Sequence, residues 1–139
     1  MQRKVVAYIV KADRLVAFLH EEDTNPVLES GLQVPAGTVD PGEDLAVAVL
    51  REAKEETGLE GLRVVRYLGC DHPHWPGAQP QERHFFHLEV DHAPDVWRHV
   101  EDNGGTSVDR HPFHLFWLPI DQAALLAAGQ GMFAARLIE

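Results

Sequence analysis

The segment that decides the fold of this chain runs Gly37-Thr-Val-Asp-Pro-Gly-Glu-Asp-Leu-Ala-Val-Ala-Val-Leu-Arg-Glu-Ala-Lys-Glu-Glu-Thr-Gly-Leu59. Its apolar residues recur three and four positions apart, which predicts an amphipathic helix with one buried stripe: Leu45, Ala46, Val49, Leu50 and Ala53. We expect this helix to open within Asp40–Asp44, with Asp40 or Gly42 as its cap. It should run to about Thr57 and stop at Gly58.

Three carboxylates crowd one side of the predicted helix. Glu52 and Glu56 are one turn apart, and Glu55 lies beside them within about 5.4 Å of axial rise. One interpretation is a solvated face on which Arg51 and Lys54 relieve the repulsion. The other is a site for a hard cation, because magnesium takes oxygen ligands at about 2.0–2.1 Å and keeps several waters.

The whole segment favours the cation site, because it resembles the Nudix box. All the fixed positions of that motif are matched, by Gly37, Glu43, Arg51, Glu52, Glu55, Glu56 and Gly58. Ala53 departs from the bulkier aliphatic residue usual in the family, and Leu59 meets the final aliphatic position. The resemblance implies an α+β fold, an α/β/α sandwich in which helices flank a mixed sheet and the box forms a loop–helix–loop.

The resemblance also implies roles for the box residues. Glu52, Glu55, Glu56 and the carbonyl of Gly37 would hold Mg²⁺, with Mn²⁺ as an alternative ion. Glu55 or Glu56 would act as the base, and Arg51 would belong to the catalytic group. Glu43 and Arg51 would pair and fix the helix to its preceding loop, and Gly58 would close the helix.

In this family the base can also come from a distant segment. The candidates here are acidic residues outside the box: Glu82, Glu89, Glu101, Asp102 and Asp109. Glu101 and Asp102 are further candidates for contact with metal or substrate. Trp75 lies in a Pro- and Gly-rich loop, so it is the best candidate to stack on a nucleobase. His84 and His87, on or beside a strand, complete the candidate substrate-binding residues.

The flanking sequence predicts a sheet. Short β-branched and aromatic runs predict strands at Val5–Val10, Leu15–Leu19, Leu32–Pro35, Leu62–Gly69, Phe85–Val90 and His114–Leu118. The stretches Asp71–Gln81 and Asp91–Asp109 are interpreted as loops, and Asp121–Ala128 as a short helix. The tail from Gly131 onward should form a last helical turn or strand.

Composition limits the classes of function. The chain has 139 residues, which suits one domain over 1–139, and a formal net charge of -10, which argues against general nucleic-acid binding.

Cys70 is the single cysteine and has no partner motif, so a reducing, cytoplasmic setting is expected. Asp71-His72-Pro73-His74 contains metal-ligand residue types but lacks the spacing of a zinc motif. The short apolar run near the N-terminus does not predict a signal peptide or a membrane span.

The resemblance to the Nudix family implies Mg²⁺-dependent hydrolysis of a pyrophosphate bond in a nucleoside diphosphate linked to another moiety. Nucleoside triphosphates, nucleotide sugars and dinucleoside polyphosphates are all open as substrates. The alternative is a catalytically idle Nudix fold that serves as a ligand sensor or protein-interaction module. The partner would be a small nucleotide-type molecule, with no membrane, and a homodimer remains open.

Overall fold

The computed structural model describes residues 1–25, 29–101 and 111–139. In these ranges the strands are β1 (Gln2–Lys11), β2 (Arg14–His20), β3 (Ala36–Thr38), β4 (Leu62–Asp71), β5 (Gln81–Val90), β6 (Val96–Val100) and β7 (Pro112–Pro119). Helix α1 spans Leu45–Thr57. Three 3-10 segments follow β7, at Ile120–Leu125, Ala127–Gly129 and Ala134–Ile138.

The strands form one mixed sheet in the order β4-β5-β1-β2-β7-β6, with β3 paired to β1. Strands β1 and β5 run parallel, and the other pairs are antiparallel. The long parallel pairing needs a crossover connection, which α1 and β4 provide. The predicted α+β class with a mixed sheet is therefore confirmed.

The central strand β1 is apolar on both faces of the sheet. Val5, Ala7 and Ile9 belong to the core beneath α1. Val6 and Tyr8 belong to a second core, which the C-terminal 3-10 segments cover. The layers are those of a sandwich, but the second outer layer is built from 3-10 turns and not from an α-helix. The predicted short helix Asp121–Ala128 is present as two 3-10 segments, Ile120–Leu125 and Ala127–Gly129.

The loop before α1 is longer than the sequence predicted. Asp44 has an extended backbone, and its side chain accepts a hydrogen bond from the amide of Ala46, so Asp44 is the cap. The expected caps, Asp40 and Gly42, lie in the loop, because the Glu43 carboxylate is drawn back to the amide of Asp40. The predicted end is correct: Gly58 adopts a left-handed conformation with φ of 72°.

One strand prediction and one loop prediction were wrong. Leu32–Pro35 contributes a single bridge, between Gln33 and Phe18, and the regular pairing with β1 begins one residue later, at Ala36. The stretch Asp91–Asp109 was expected to be a loop, yet it contains β6, which pairs with β7. The tail from Gly131 onward was predicted to be a helical turn or a strand, and it forms a helical turn.

No helix within residues 1–25, 29–101 and 111–139 combines the length and apolar character that crossing a bilayer requires.

Two valines of α1 test how the helix is held on the sheet. Val49 is 1% exposed and Val47 is 57% exposed. Val49→Ala should lower the free energy of unfolding by about 1–3 kcal/mol, because it removes buried methyl groups and leaves a cavity. Val47→Ala makes the same change in helix propensity but leaves no cavity, so it should not lower the free energy of unfolding in this way. Urea denaturation of both variants measures the difference, and equal effects would contradict the packing described here.

Candidate active site

Strand β3 and helix α1 meet at a point where two glutamates face the backbone. Glu56 is 7% exposed, and its carboxylate accepts a hydrogen bond of 2.7 Å from the amide of Ala36. Glu52 lies directly over Gly37, so that a Cβ atom at position 37 would be 2.0 Å from the carboxyl carbon of Glu52. A side chain at position 37 would therefore displace the Glu52 carboxylate from β3.

Arg51 anchors the loop before the helix. Its guanidinium donates two hydrogen bonds to the Glu43 carboxylate, at 2.8 and 2.7 Å, and one of 3.1 Å to the Thr38 carbonyl. This bidentate pair and the Asp40 amide hold the pKa of Glu43 at about 2. Because that pKa is lowered, the pair contributes stability above the ordinary carboxylate pKa and loses it as pH falls towards 2.

Arg51 also reaches towards the helix carboxylates. Its Nη1 atom donates to Glu52 at 2.8 Å and to the two oxygens of Glu55 at 3.4 Å. The side chain of Glu55 is 25% exposed, compared with 13% for Glu52. Glu55 is therefore the more accessible of these two carboxylates.

Glu101, which follows β6, brings a fourth carboxyl to the same place. Burial raises the pKa of Glu56 well above its usual value against the hydrogen bond from Ala36, and Glu101 and Glu52 raise it further. Burial likewise raises the pKa of Glu52, with added repulsion from Glu55 and Glu101. Burial is the largest cause of both shifts, and repulsion among the carboxyls adds to it.

The donor set fits a hard divalent cation. The carboxyls that interact with one another beside Arg51 are those of Glu52, Glu55, Glu56 and Glu101, and oxygen ligands of this kind suit magnesium or manganese. Within the described residues the three helix glutamates do not bring three ligand atoms within 4.8 Å of one another. Mutual repulsion, together with the separate contacts to Arg51 and Ala36, accounts for this spread.

A cavity of about 220 Å³ opens beside Gly37 on the other face of the sheet. Six of the residues that line it are Lys4, Ala36, Gly37, Trp75, Arg83 and Gln130. The Arg83 guanidinium lies 5.4 Å from the centre of the Trp75 ring and is fixed by Asp71 at 2.9 and 2.6 Å. The Lys4 ammonium donates to the Thr38 hydroxyl at 2.8 Å, next to Gly37.

The two candidate histidines do not join this cavity. His84 follows Arg83 directly on β5, so its side chain points to the opposite face of the sheet, where it contacts Tyr67 and Glu82. His87 is in register with Tyr8 further along the strand, and its ring nitrogens have no hydrogen-bond partner within the described ranges. Burial lowers the pKa of His87, which keeps the ring neutral.

Two of the acidic candidates outside the box helix also lie away from its carboxylates. Glu89 pairs with Arg63 at 2.8 Å, and Glu82 contacts His84 and His72, so neither joins the box carboxylates. Asp102 and Asp109 lie outside the described residues. Of the distant candidates only Glu101 is brought to Glu56 in the described part of the chain.

Sequence reasoning missed three contributors to the site. The Ala36 amide leaves no signal in a side-chain pattern. Lys4 and Arg83 are isolated basic residues in the sequence. Lys4 comes close to Gly37 because β1 pairs with β3, and Arg83 does so because β5 pairs with β1. Arg83 lies on the same face of β5 as Phe85 and is 6% exposed.

The chain resembles known proteins over nearly its whole length. A family model described as NUDIX domain matches residues 1–138. The NUDIX hydrolase structure from Nitrosomonas europaea superposes with a TM-score of 0.68 at 22% identity, covering 97% of this chain and 86% of that one. At that identity the likeness concerns the fold.

Two curated proteins share shorter stretches. Nudix hydrolase 26, chloroplastic, from Arabidopsis thaliana is 44% identical over 48 residues, which are 34% of this chain and 20% of that protein. ADP-ribose pyrophosphatase from Saccharomyces cerevisiae is 46% identical over 43 residues, 31% of this chain and 19% of that protein. The match therefore spans about a fifth of each curated relative.

The contact between Gly37 and Glu52 can be tested by a double-mutant cycle. Gly37→Ala should lower the free energy of unfolding by about 1–3 kcal/mol, because the new methyl group meets the Glu52 carboxyl. In a Glu52→Ala background the same change should cost at least about 0.5 kcal/mol less. Urea denaturation of the four proteins measures the coupling, and costs that simply add would show that the two residues are not in contact.

Proposed function

The chain belongs to the Nudix family, and from that premise we propose that it hydrolyses a pyrophosphate bond in a nucleoside diphosphate linked to another moiety. The proposed cofactor is Mg²⁺, with Mn²⁺ as the alternative. The observation that carries the proposal is the cluster of mutually repelling carboxyls next to Gly37, in which Glu56 is buried and Glu52 and Glu101 are half-buried. In a chain of net charge -10, such a cluster is electrostatically unfavourable, and a bound cation would offset the repulsion.

Glu52 and Glu56 would hold the cation together with the carbonyl of Gly37. Both side chains are shielded, and Glu56 is fixed by the Ala36 amide, as a ligand of defined position requires. Glu101 would be a further ligand from outside the helix. When bound, Mg²⁺ would neutralise phosphate oxygens and acidify a water for attack at phosphorus.

Glu55 is the proposed base. It is more exposed than Glu52, and its backbone carbonyl accepts a hydrogen bond of 3.0 Å from His99, which holds this turn of the helix in place. The Glu55 carboxylate would accept the proton of the attacking water. Arg51 would orient Glu52 and Glu55 from one guanidinium, in addition to tying the loop to the helix.

The cavity beside Gly37 is the proposed place for one end of the substrate. Its volume of about 220 Å³ is below the roughly 300 Å³ at which pockets for whole drug-sized ligands begin, so it suits one ring system. Trp75, 37% exposed, would stack on that group. Lys4 would contact phosphate, since its ammonium lies at the Gly37 edge of the cavity.

ADP-ribose pyrophosphatase, by its name, acts on a nucleoside diphosphate joined to a sugar, which is consistent with the proposed substrate class. We further propose that residues 1–139 act as one domain in the cytoplasm. The extent of the family match supports the single domain, and the lone cysteine is compatible with a reducing compartment.

A substrate panel tests the proposal. The protein is incubated with Mg²⁺ and separately with nucleoside triphosphates, nucleotide sugars, ADP-ribose and dinucleoside polyphosphates, and the products are separated by ion-exchange chromatography. Cleavage between two phosphates of at least one compound is the expected result. Binding of nucleotides without turnover of any, by folded protein, would favour the idle sensor.

Glu56→Gln should lower kcat by at least about a hundredfold on any substrate that is turned over, since the amide cannot supply charge to a cation. The amide oxygen can still accept from Ala36, so the fold should be retained. Glu60→Gln is the matched control, because Glu60 lies just beyond the helix with its side chain 80% exposed. An unchanged kcat in Glu56→Gln would remove Glu56 from the cation site.

Trp75→Ala should raise KM about tenfold with little change in kcat, because stacking on a base contributes about 1–3 kcal/mol and is remote from the reacting phosphorus. Trp75→Phe keeps an aromatic face and should retain most of the affinity. Steady-state kinetics on the best substrate of the panel measure both. If KM is unaltered in Trp75→Ala, the ring does not contact the substrate.

A further inference from the structure

A second cluster of metal-ligand residues lies on the sheet, apart from the box helix. Cys70 on β4 and His84 on β5 face each other in register, and Glu82 is two residues before His84 on the same face. Within the described ranges these are the three side chains of ligand type whose donor atoms all lie within 4.8 Å of one another. The box glutamates do not reach that proximity.

The distances between the donor atoms resemble those around a tetrahedral ion. Cys70 Sγ is 4.0 Å from His84 Nε2, and His72 Nε2 is 3.7 Å from Glu82 Oε2. Donor atoms around tetrahedral zinc lie about 3.3–3.8 Å apart, given bonds of about 2.0–2.3 Å. His84 Nε2 and Glu82 Oε1 are closer, at 2.5 Å, and the partly exposed Glu82 side chain can rotate to open that edge.

Tyr67 fixes the orientation of the central histidine. Its hydroxyl lies 2.8 Å from Nδ1 of His84, whereas the other ring nitrogen, Nε2, is the one near Cys70 and Glu82. Metal-bound histidines commonly use their second nitrogen in such a hydrogen bond, which sets the ring tautomer and direction. The side chain of His84 is 12% exposed, whereas that of His72 is 61% exposed. The cluster is therefore shielded from solvent at His84 and accessible to solvent at His72.

We propose that Cys70, Glu82 and His84 bind one zinc ion, with His72 as the fourth ligand. A thiolate with imidazole nitrogens favours a borderline-soft ion such as zinc over magnesium, which prefers an all-oxygen set. On binding, Cys70 releases its thiol proton to solvent. The proton on His84 then resides on Nδ1 and is donated to Tyr67.

The site is close to the box but does not share its ligands. His84 and Gly37 are both in register with Val5, on opposite edges of β1, so their backbones are two strand spacings, about 10 Å, apart. The ion would join the end of β4 to the start of β5, at the two ends of the loop that carries Trp75. Zinc binding would therefore brace this loop, whether or not the proposed hydrolysis takes place.

The test uses the full chain, stripped with a chelator and titrated with zinc chloride in the presence of millimolar Mg²⁺. We expect one tight zinc site per chain by calorimetry, and a thiolate-to-metal charge-transfer band when Co²⁺ replaces zinc. Cys70→Ser and His84→Ala should each weaken zinc binding at least tenfold and abolish that band. His74→Ala, a neighbouring exposed histidine outside the cluster, is the matched control and should bind normally.

A Glu52→Gln/Glu56→Gln variant separates this site from the box and should keep the zinc site and the Co²⁺ band. Loss of zinc binding in that variant, with retention in Cys70→Ser, would place the ion at the box and overturn the proposal. Failure of the native chain to bind zinc with a thiolate signature would overturn it equally. Circular dichroism of each variant establishes that the fold is kept.

Discussion

The close approach of α1 to β3 is the constraint on which the site depends. A glycine at position 37 lets the Glu52 carboxyl lie against the strand, and the Ala36 amide next to it binds Glu56. The same approach takes the Glu52 and Glu56 carboxyls out of water and brings them close to other carboxyls, which raises the pKa of both. One contact thus gives both the order of this region and the group of carboxyls on which the proposed cation site rests.

Arg51 offsets part of the repulsion among these carboxyls. Its short hydrogen bonds to Glu43 fix the loop, and its remaining nitrogen lies against Glu52 and Glu55. One guanidinium cannot balance four carboxyls, and the ones it does not contact, Glu56 and Glu101, are placed together. The site is therefore held in shape by Arg51 and remains short of positive charge.

Local patterns in the sequence predicted the local parts of the structure. The spacing of apolar residues in α1 and the glycine after Thr57 depend on neighbours along the chain, so the helix and its end were predicted correctly. Strand β6 was missed because its Val-Trp-Arg-His-Val alternation lies in a polar stretch and becomes a strand only through pairing with β7. The parallel pairing of β1 with β5 depends on distant residues in the same way.

The candidate site shows the same division between local and distant information. The box carboxylates share a helix, so their proximity followed from spacing, whereas Glu101 reaches them only through the position of β6. The facing of Cys70 and His84 depends on the register of β4 and β5, which includes two irregularities between Val64 and Gly69. No spacing rule in the sequence anticipates that register.

The central claim is that the carboxyls around Gly37 bind a divalent cation, and the most direct test is crystallographic. Crystals soaked in Mn²⁺ and measured at a wavelength where manganese scatters anomalously should show a peak between Glu52, Glu56 and the Gly37 carbonyl. Absence of a peak there at saturating Mn²⁺, in crystals whose packing leaves the site open, would contradict the account.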